Sequence, residues 1–299
     1  MVRGSHAPSL RTRVRRLLAT ELELSGASIL CACSGGPDST AMLHVLAGLR
    51  GPLGLTLTAC AVDHGLRPEA VSEIAHAASV AAAMGVPFEV ARVTVARGAN
   101  LMARARESRY AALRSAGARL GASFIATGHT ADDRAETVIL RLLRGAGPRG
   151  LAVLPPRAGD LLRPIIRARR ADVLRHLDRA RIDFATDPSN ADVRFVRARV
   201  RRDVMPLLEG LSPAVVETLC ALADALTELV PGDDPLAALG RRQREMIEGA
   251  LRAGKAARVR TSDREEVLVR LENGRPILTK EASPKAPHPP RPRRGGPGA

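Results

Sequence analysis

The sequence predicts an α/β fold, a parallel sheet with helices on both faces, followed by a smaller and mainly helical C-terminal domain. Three observations point there. Short apolar, β-like runs alternate with helix-patterned segments from Ala27 to Leu143. A glycine-rich turn separates the first of these runs from the helix behind it. In 299 residues, 45% apolar and 26% charged, no apolar run approaches the ~18 residues that a bilayer span needs.

Ala27–Cys33 is a short apolar strand that ends in Ser34-Gly35-Gly36-Pro37-Asp38-Ser39, and Ala41–Leu49 follows with helical spacing. Leu55–Val62 reads as a second strand, Pro68–Met84 as an Ala-rich helix stopped by Gly85, and Phe88–Val95 as a third strand. Asn100 is placed to cap a helix over Leu101–Leu120 that Gly121 ends; strand Ser123–Thr127 then leads into a helix over Ala131–Leu143. Gly145–Gly150 reads as a loop, and Leu207–Leu251 as helical with an interruption at Pro231–Pro235. Val267–Val269 and Pro276–Leu278 pattern as a short hairpin, and the proline-rich, basic segment 284–299 as a disordered tail. The expected division is a larger α/β domain over 1–208, a small domain over 209–283 and a tail over 284–299.

Lys and Arg number 46 against 31 Asp and Glu, a formal charge of +15, which favours a polyanionic partner. All but Lys255, Lys280 and Lys285 are arginine, the side chain whose planar fork suits phosphate. From Arg157 to Asp203 there are 13 arginines, seven aspartates and no glutamate, a stretch suited to an RNA backbone. Aromatic residues make up 2% of the chain, too few for stacking platforms along a single strand. Cys31, Cys33, Cys60 and Cys220 form no C-x-x-C pair, so neither a disulfide framework nor a zinc finger is indicated. The arginine-crowded start has no apolar signal core, which gives a cytoplasmic expectation.

The strand–Ser34-Gly35-Gly36-Pro37-Asp38-Ser39–helix turn carries the most chemistry. Two glycines let backbone approach an anion, while Ser34, Ser39 and the amides of the helix start offer donors to phosphate oxygens. Asp38 beside phosphates makes sense as a Mg2+ ligand or as a group that moves a proton. The spacer and lysine of a Walker A loop are missing. On the next acidic segment, helical spacing puts His129, Asp132, Asp133 and Glu136 on one face and Ala135, Val138, Ile139 and Leu142 on another. Asp187-Pro188-Ser189-Asn190 reads as a turn in its own right.

The loop resembles that of the PP-loop ATP pyrophosphatases, enzymes with a Rossmann-like, adenine nucleotide alpha hydrolase-like fold that split ATP between its α and β phosphates. The later pieces narrow the resemblance: Asp63-His64-Gly65-Leu66-Arg67, Arg104-x-Arg106-Glu107-x-Arg109-Tyr110, Gly128-His129-Thr130-Ala131-Asp132-Asp133-x-x-Glu136-Thr137, Leu143-Arg144-Gly145, Arg163-Pro164 and Asp187-Pro188-Ser189-Asn190. In this order, over Ala27–Leu208, they are similar to the tRNA(Ile)-lysidine synthetase family in its shorter form. One departure is Ala198, between Arg197 and Arg199, where the family often carries asparagine.

The resemblance implies a ligase that uses ATP and Mg2+ to join free L-lysine to the wobble cytidine of tRNA(Ile) with a CAU anticodon, releasing pyrophosphate and AMP. It implies nucleotide binding by Ser34, Gly35, Gly36, Pro37, Asp38, Ser39 and His64, with Asp38 as the metal ligand. Asp132, Asp133 and Glu136 would meet the lysine ammonium, His129 the phosphate or adenylate, and Arg106 and Arg109 the charge growing at the α-phosphate. A tRNA thiolation enzyme of the same superfamily, or a non-catalytic nucleotide- or RNA-binding module, is the competing reading. No membrane partner is expected, and a homodimer is left open.

Overall fold

The computed structural model describes residues 8–63, 65, 70–94, 101–185, 196–229, 241–260, 265–272 and 275–282. By contacts the chain divides into two compact units, Met1–Leu229 and Val230–Ala299.

The first unit opens with α1 (Leu10–Arg16), capped by the Ser9 hydroxyl, which accepts from the Thr12 amide at 3.2 Å. β1 (Ser28–Ala32) leads into α2 (Pro37–Leu53). The helix starts earlier than the apolar spacing indicates, because Pro37 at its first position lacks only an amide hydrogen that would be unpaired anyway. Then come β2 (Thr56–Asp63), α3 (Ala70–Ala83), β3 (Phe88–Arg92), α4 (Leu101–Arg119), β4 (Phe124–Ala126) and α5 (Ala131–Leu142). One turn, α6 (Pro148–Leu151), stands within the expected loop. Two short strands, β5 (Arg157–Ala158) and β6 (Leu161–Leu162), precede α7 (Arg170–Ala180). The unit closes with α8 (Val196–Arg199), α9 (Met205–Leu211) and α10 (Val215–Leu229).

The sheet runs β3-β2-β1-β4-β6-β5, parallel throughout except for the β5–β6 pair. Side chains alternate between its faces. Ile29, Cys31 and Ala59 pack with Met42, Leu46 and Ala77 of α2 and α3, whereas Leu30, Cys60 and Ile125 pack with Leu113 and Ala116 of α4. The chain builds outward from β1 to β3 and returns to place β4 on β1's other side. That reversal puts the loops after β1 and β4 side by side at the carboxyl edge, the place where open α/β sheets bind ligands.

The expected boundary after Leu208 falls earlier than the division by contacts, because α10 docks on α5. Val216 joins Ala131 and Ala135, and Ala223 joins Val138. Arg134, 1% exposed, clamps the contact by donating to the Val153 carbonyl at 3.0 Å and to Asp224 at 2.7 Å. No single helix among the described residues is long and apolar enough to cross a membrane.

In the second unit, α11 (Arg241–Arg252) packs on an antiparallel sheet of β7 (Ala257–Arg260), β8 (Glu265–Glu272) and β9 (Arg275–Ala282). Ile247, Val259, Val267 and Val269 form its small core. The expected hairpin is present, longer at both ends, and β7 adds a third strand. The tail at 284–299 lies outside the described residues.

Candidate active site

Past β1, the turn is braced from within. Ser39 Oγ donates to the Gly36 carbonyl at 3.0 Å and accepts from the Ser34 amide at 3.2 Å; Ser34 Oγ lies 3.2 Å from Ser39 Oγ. Gly35 has φ +79°, and a Cβ there would stand 3.0 Å from the Glu73 carbonyl, so only glycine fits without strain. The first helical bond of α2 runs from the Thr40 amide to Gly36 O at 3.0 Å. The Asp38 and Ser39 amides ahead of it are the donors an anion would take. The β4 loop lies directly on this turn: a Cβ on Gly128 would come within 2.9 Å of Asp38 C and Ser39 N.

Thr130 caps α5 through a reciprocal box, its amide donating to Asp133 Oδ2 at 3.0 Å and its hydroxyl accepting from the Asp133 amide at 3.4 Å. The other Asp133 oxygen accepts from Arg197 at 3.0 Å and from Arg170 and Arg201 at 3.3 Å. Glu136, 1% exposed, accepts from Arg201 at 2.6 Å and Arg197 at 3.2 Å. Burial pushes the Asp133 carboxyl up, but the Thr130 amide and the flanking Arg170 and Arg197 outweigh it and hold the group below its ordinary range. Asp132 parts from this face. It accepts from the Arg170 amide at 2.6 Å and from Arg169 Nε at 3.2 Å, so it caps α7 instead of pointing inward.

Asp38 stands between the loop and these acids, with Arg170 Nε 3.9 Å away. Its Oδ1 is buried and has no hydrogen-bond partner. Burial is the main reason its pKa rises to about 6; Asp133 and Asp132 add to the rise, and Arg170 and Arg201 oppose it. An orphaned carboxylate oxygen beside a phosphate turn fits a Mg2+ ligand. No group of three or more His, Cys, Asp or Glu suited to a metal exists among the described residues. Phosphate oxygens and water would therefore complete the shell, as is usual for Mg2+.

On the far side of β4 the charge pattern changes. Arg106 and Arg109 lie over the Tyr110 ring at 5.2 and 5.3 Å, and Arg109 Nε is buried without a partner. His129 Nδ1 is 2.9 Å from Thr127 Oγ1. Burial, helped by Arg163, Arg106 and Arg109 and resisted by Asp133, holds this imidazole neutral.

Of the residues singled out from sequence, the loop, Asp38, Asp133 and Glu136 come together, with His129, Arg106 and Arg109 beside them. Asp132 is turned to α7, and His64 lies outside the described residues, as does Asp187–Asn190. Arg163, Arg170, Arg197 and Arg201 belong to the stretch expected to meet an RNA backbone and carry no expected role in this site; the i, i+4 spacing of Arg197 and Arg201 is the available signal. Part of the arginine-rich stretch is engaged within the molecule: Arg169, Arg170, Arg197 and Arg201 pair with acids of the site, and Arg167 and Arg202 pair with acids at the surface.

Residues 7–208 match the PP-loop domain family. The chain is 44% identical over 202 residues to the tRNA(Ile)-lysidine synthase of Salinispora tropica, covering 65% of this chain and 61% of that one. It is 41% identical over 237 residues to the tRNA(Ile)-lysidine synthase of Rhodopseudomonas palustris, covering 75% and 68%. It thus spans less than two thirds of the first relative's length. The fold is shared with the U34-tRNA thiolase NcsA of Methanococcus maripaludis, a structure with a [4Fe-4S] cluster, at TM-score 0.66 and 18% identity over 77% of this chain and 84% of that one. By sequence, the chain belongs to the tRNA(Ile)-lysidine synthase family of PP-loop proteins.

Proposed function

We propose that this protein attaches L-lysine to C2 of the wobble cytidine in tRNA(Ile) with a CAU anticodon, at the expense of ATP. The observation that carries the reading is the juxtaposition, across the β1/β4 switch point, of a phosphate-gripping turn with Asp38, Asp133 and Glu136. The C2 oxygen is a poor leaving group. It attacks the α-phosphorus of ATP, the α–β bridge breaks, and pyrophosphate departs while held by the Asp38 and Ser39 amides. The lysine ε-amine then attacks C2, and AMP leaves with the former C2 oxygen.

Each step asks something of the side chains. The α-phosphorus gains negative charge as it is attacked, and Arg106 and Arg109 oppose it. Lysine arrives as an ammonium, pKa about 10.4 in water, and must lose a proton to attack. Asp133 and Glu136 are already engaged by Arg170, Arg197 and Arg201, which leaves Asp38 as the carboxylate open to the ammonium. Asp38, with one unpartnered oxygen and a pKa raised to about 6, holds Mg2+ or takes the proton. Mg2+, when bound by Asp38, neutralises phosphate charge. A tRNA substrate is met in the cytoplasm.

Thiolation is served less well by these residues. Cys31, Cys33 and Cys60 lie in the core with their thiols pushed up by burial, Cys60 to about 11, which makes them poor nucleophiles. Incubation with ATP, radiolabelled lysine and tRNA(Ile) bearing CAU is expected to label the tRNA and release AMP and pyrophosphate in equal amounts. Protein that binds this tRNA and ATP yet leaves the tRNA unlabelled refutes the reading.

A further inference from the structure

Among the described residues of the first unit two arginines are deeply buried, Arg134 at 1% and Arg163 at 6% exposure, and their surroundings differ in kind. Arg134 meets Asp224 at 2.7 Å. Arg163 meets no carboxylate within 4.0 Å among the described residues; NH1 donates to the Pro155 carbonyl at 2.7 Å, and its buried Nε has no partner. An unpaired buried cation is costly, because it gives up water for nothing of opposite charge. Holding the Pro155 carbonyl needs no charge at all. The arginine is therefore kept for something that arrives.

Its place in the sheet says where that arrival happens. Ala126 of β4 pairs with Leu162 of β6, and the Thr127 amide donates to Leu162 O at 2.9 Å, so Arg163 emerges at the carboxyl edge beside Thr127 and His129. Arg106 is close enough to oppose its charge, and Arg109 brings a second buried Nε without a partner. The phosphate turn follows β1, on the other side of β4, so about 10 Å of sheet separates the two strand ends.

We infer that Arg163, with Arg106 and Arg109, forms a second oxyanion site that receives a single phosphoryl group, separate from the turn that grips pyrophosphate. The guanidinium fork matches phosphate oxygens. The α-carboxylate of an amino acid fits less well, because its own α-ammonium would be brought up to three cations. The inference rests on the proposed activity only for the source of the phosphoryl group, which is either the adenylyl phosphate or an RNA backbone phosphodiester next to the target base.

The test measures equilibrium binding of AMP, pyrophosphate and an RNA anticodon stem-loop of tRNA(Ile) to the full chain, as wild type, Arg163→Met and Arg163→Gln. The glutamine keeps a donor for Pro155 and serves if the methionine variant fails to fold. Expected is a loss of at least about tenfold for AMP or for the RNA, with pyrophosphate binding held within about twofold and ligand-free Tm equal to or above wild type. Loss for AMP assigns the adenylyl phosphate; loss for RNA alone assigns the backbone. Arg163→Lys is expected to recover part of the loss. Unchanged binding of both ligands overturns the inference, as does a lowered Tm with pyrophosphate binding lost in step. Wild type that labels tRNA while the glutamine variant binds normally refutes this site alone; wild type that never labels tRNA, yet loses AMP or RNA on substitution, refutes the activity alone.

Discussion

At the carboxyl edge of the sheet, the two sides of β4 handle charge in opposite ways. Toward α5, each arginine has an acid: Arg169 pairs with Asp132, Arg170 with Asp133, and Arg197 and Arg201 with both Asp133 and Glu136. Toward α4 and β6, Arg106, Arg109 and Arg163 have none within 4.0 Å among the described residues. Matched charges are satisfied before any ligand comes, so they serve to fix α5, α7 and α8 against one another. Unmatched cations gain only when an anion binds. The difference separates residues that build the site from residues that wait for its contents.

The largest expected break in this comparison is Glu136→Gln. It leaves Arg197 and Arg201 leaning on Asp133 alone; Glu136 is buried but both arginines are partly open to water, so the buried-pair penalty is reduced to about 2–3 kcal/mol. Urea titration of the ligand-free protein checks it; a variant within 1 kcal/mol of wild type, a bound that is roughly the spread of ordinary substitutions, would mean that the matched side does not hold the fold. Next comes Gly128→Ala, at the seam between the sides. Its Cβ would stand 2.9 Å from the Asp38 and Ser39 backbone, which must move. Misplacement on that scale lowers turnover by about a hundredfold, with about 1–3 kcal/mol of stability lost to overpacking. Unaltered pyrophosphate release by the alanine variant would show that the two loops need not touch.

Much of this was readable beforehand, and the gaps have physical causes. The Ser34–Ser39 turn declares itself because a buried strand, two glycines and a helix start follow one another. Asp133 and Glu136 fall on one face by angle alone. Asp132 was assigned to the same face, but an angle does not tell what another element brings up to it, here the α7 start with the Arg170 amide. β5 and β6 are two residues each, too short for any period. α7 buries only Val173 and Leu177 within an arginine-rich run, so charge hid its apolar stripe. The hairpin of the second unit was read short although Asn273-Gly274, a strong turn pair, lies in sequence between paired Glu272 and Arg275. In sequence Arg163 stands out only as part of a motif and as one of a run of arginines suited to an RNA backbone, because whether a cation has a counter-charge is a tertiary fact.

The smallest effect separates Asp38 from Asp133 by pH. The Asp38 carboxyl is raised from 3.8 to about 6, so the folded, ligand-free protein binds its proton more tightly than the unfolded chain does. That contribution to stability is complete below the unfolded pKa and is lost as pH rises through about 6. Two units amount to about 3 kcal/mol, reduced to on the order of 2 kcal/mol because the side chain is partly open to water. Asp133 is held low instead, so its contribution is present above the ordinary carboxylate pKa and is lost on acidification. Between about pH 4 and pH 8, wild type should therefore lose stability relative to Asp38→Asn and keep or gain it relative to Asp133→Asn. Denaturant midpoints across that range decide the matter: parallel pH slopes for the two variants would put Asp38 among the matched charges, and its free oxygen would no longer point to a ligand.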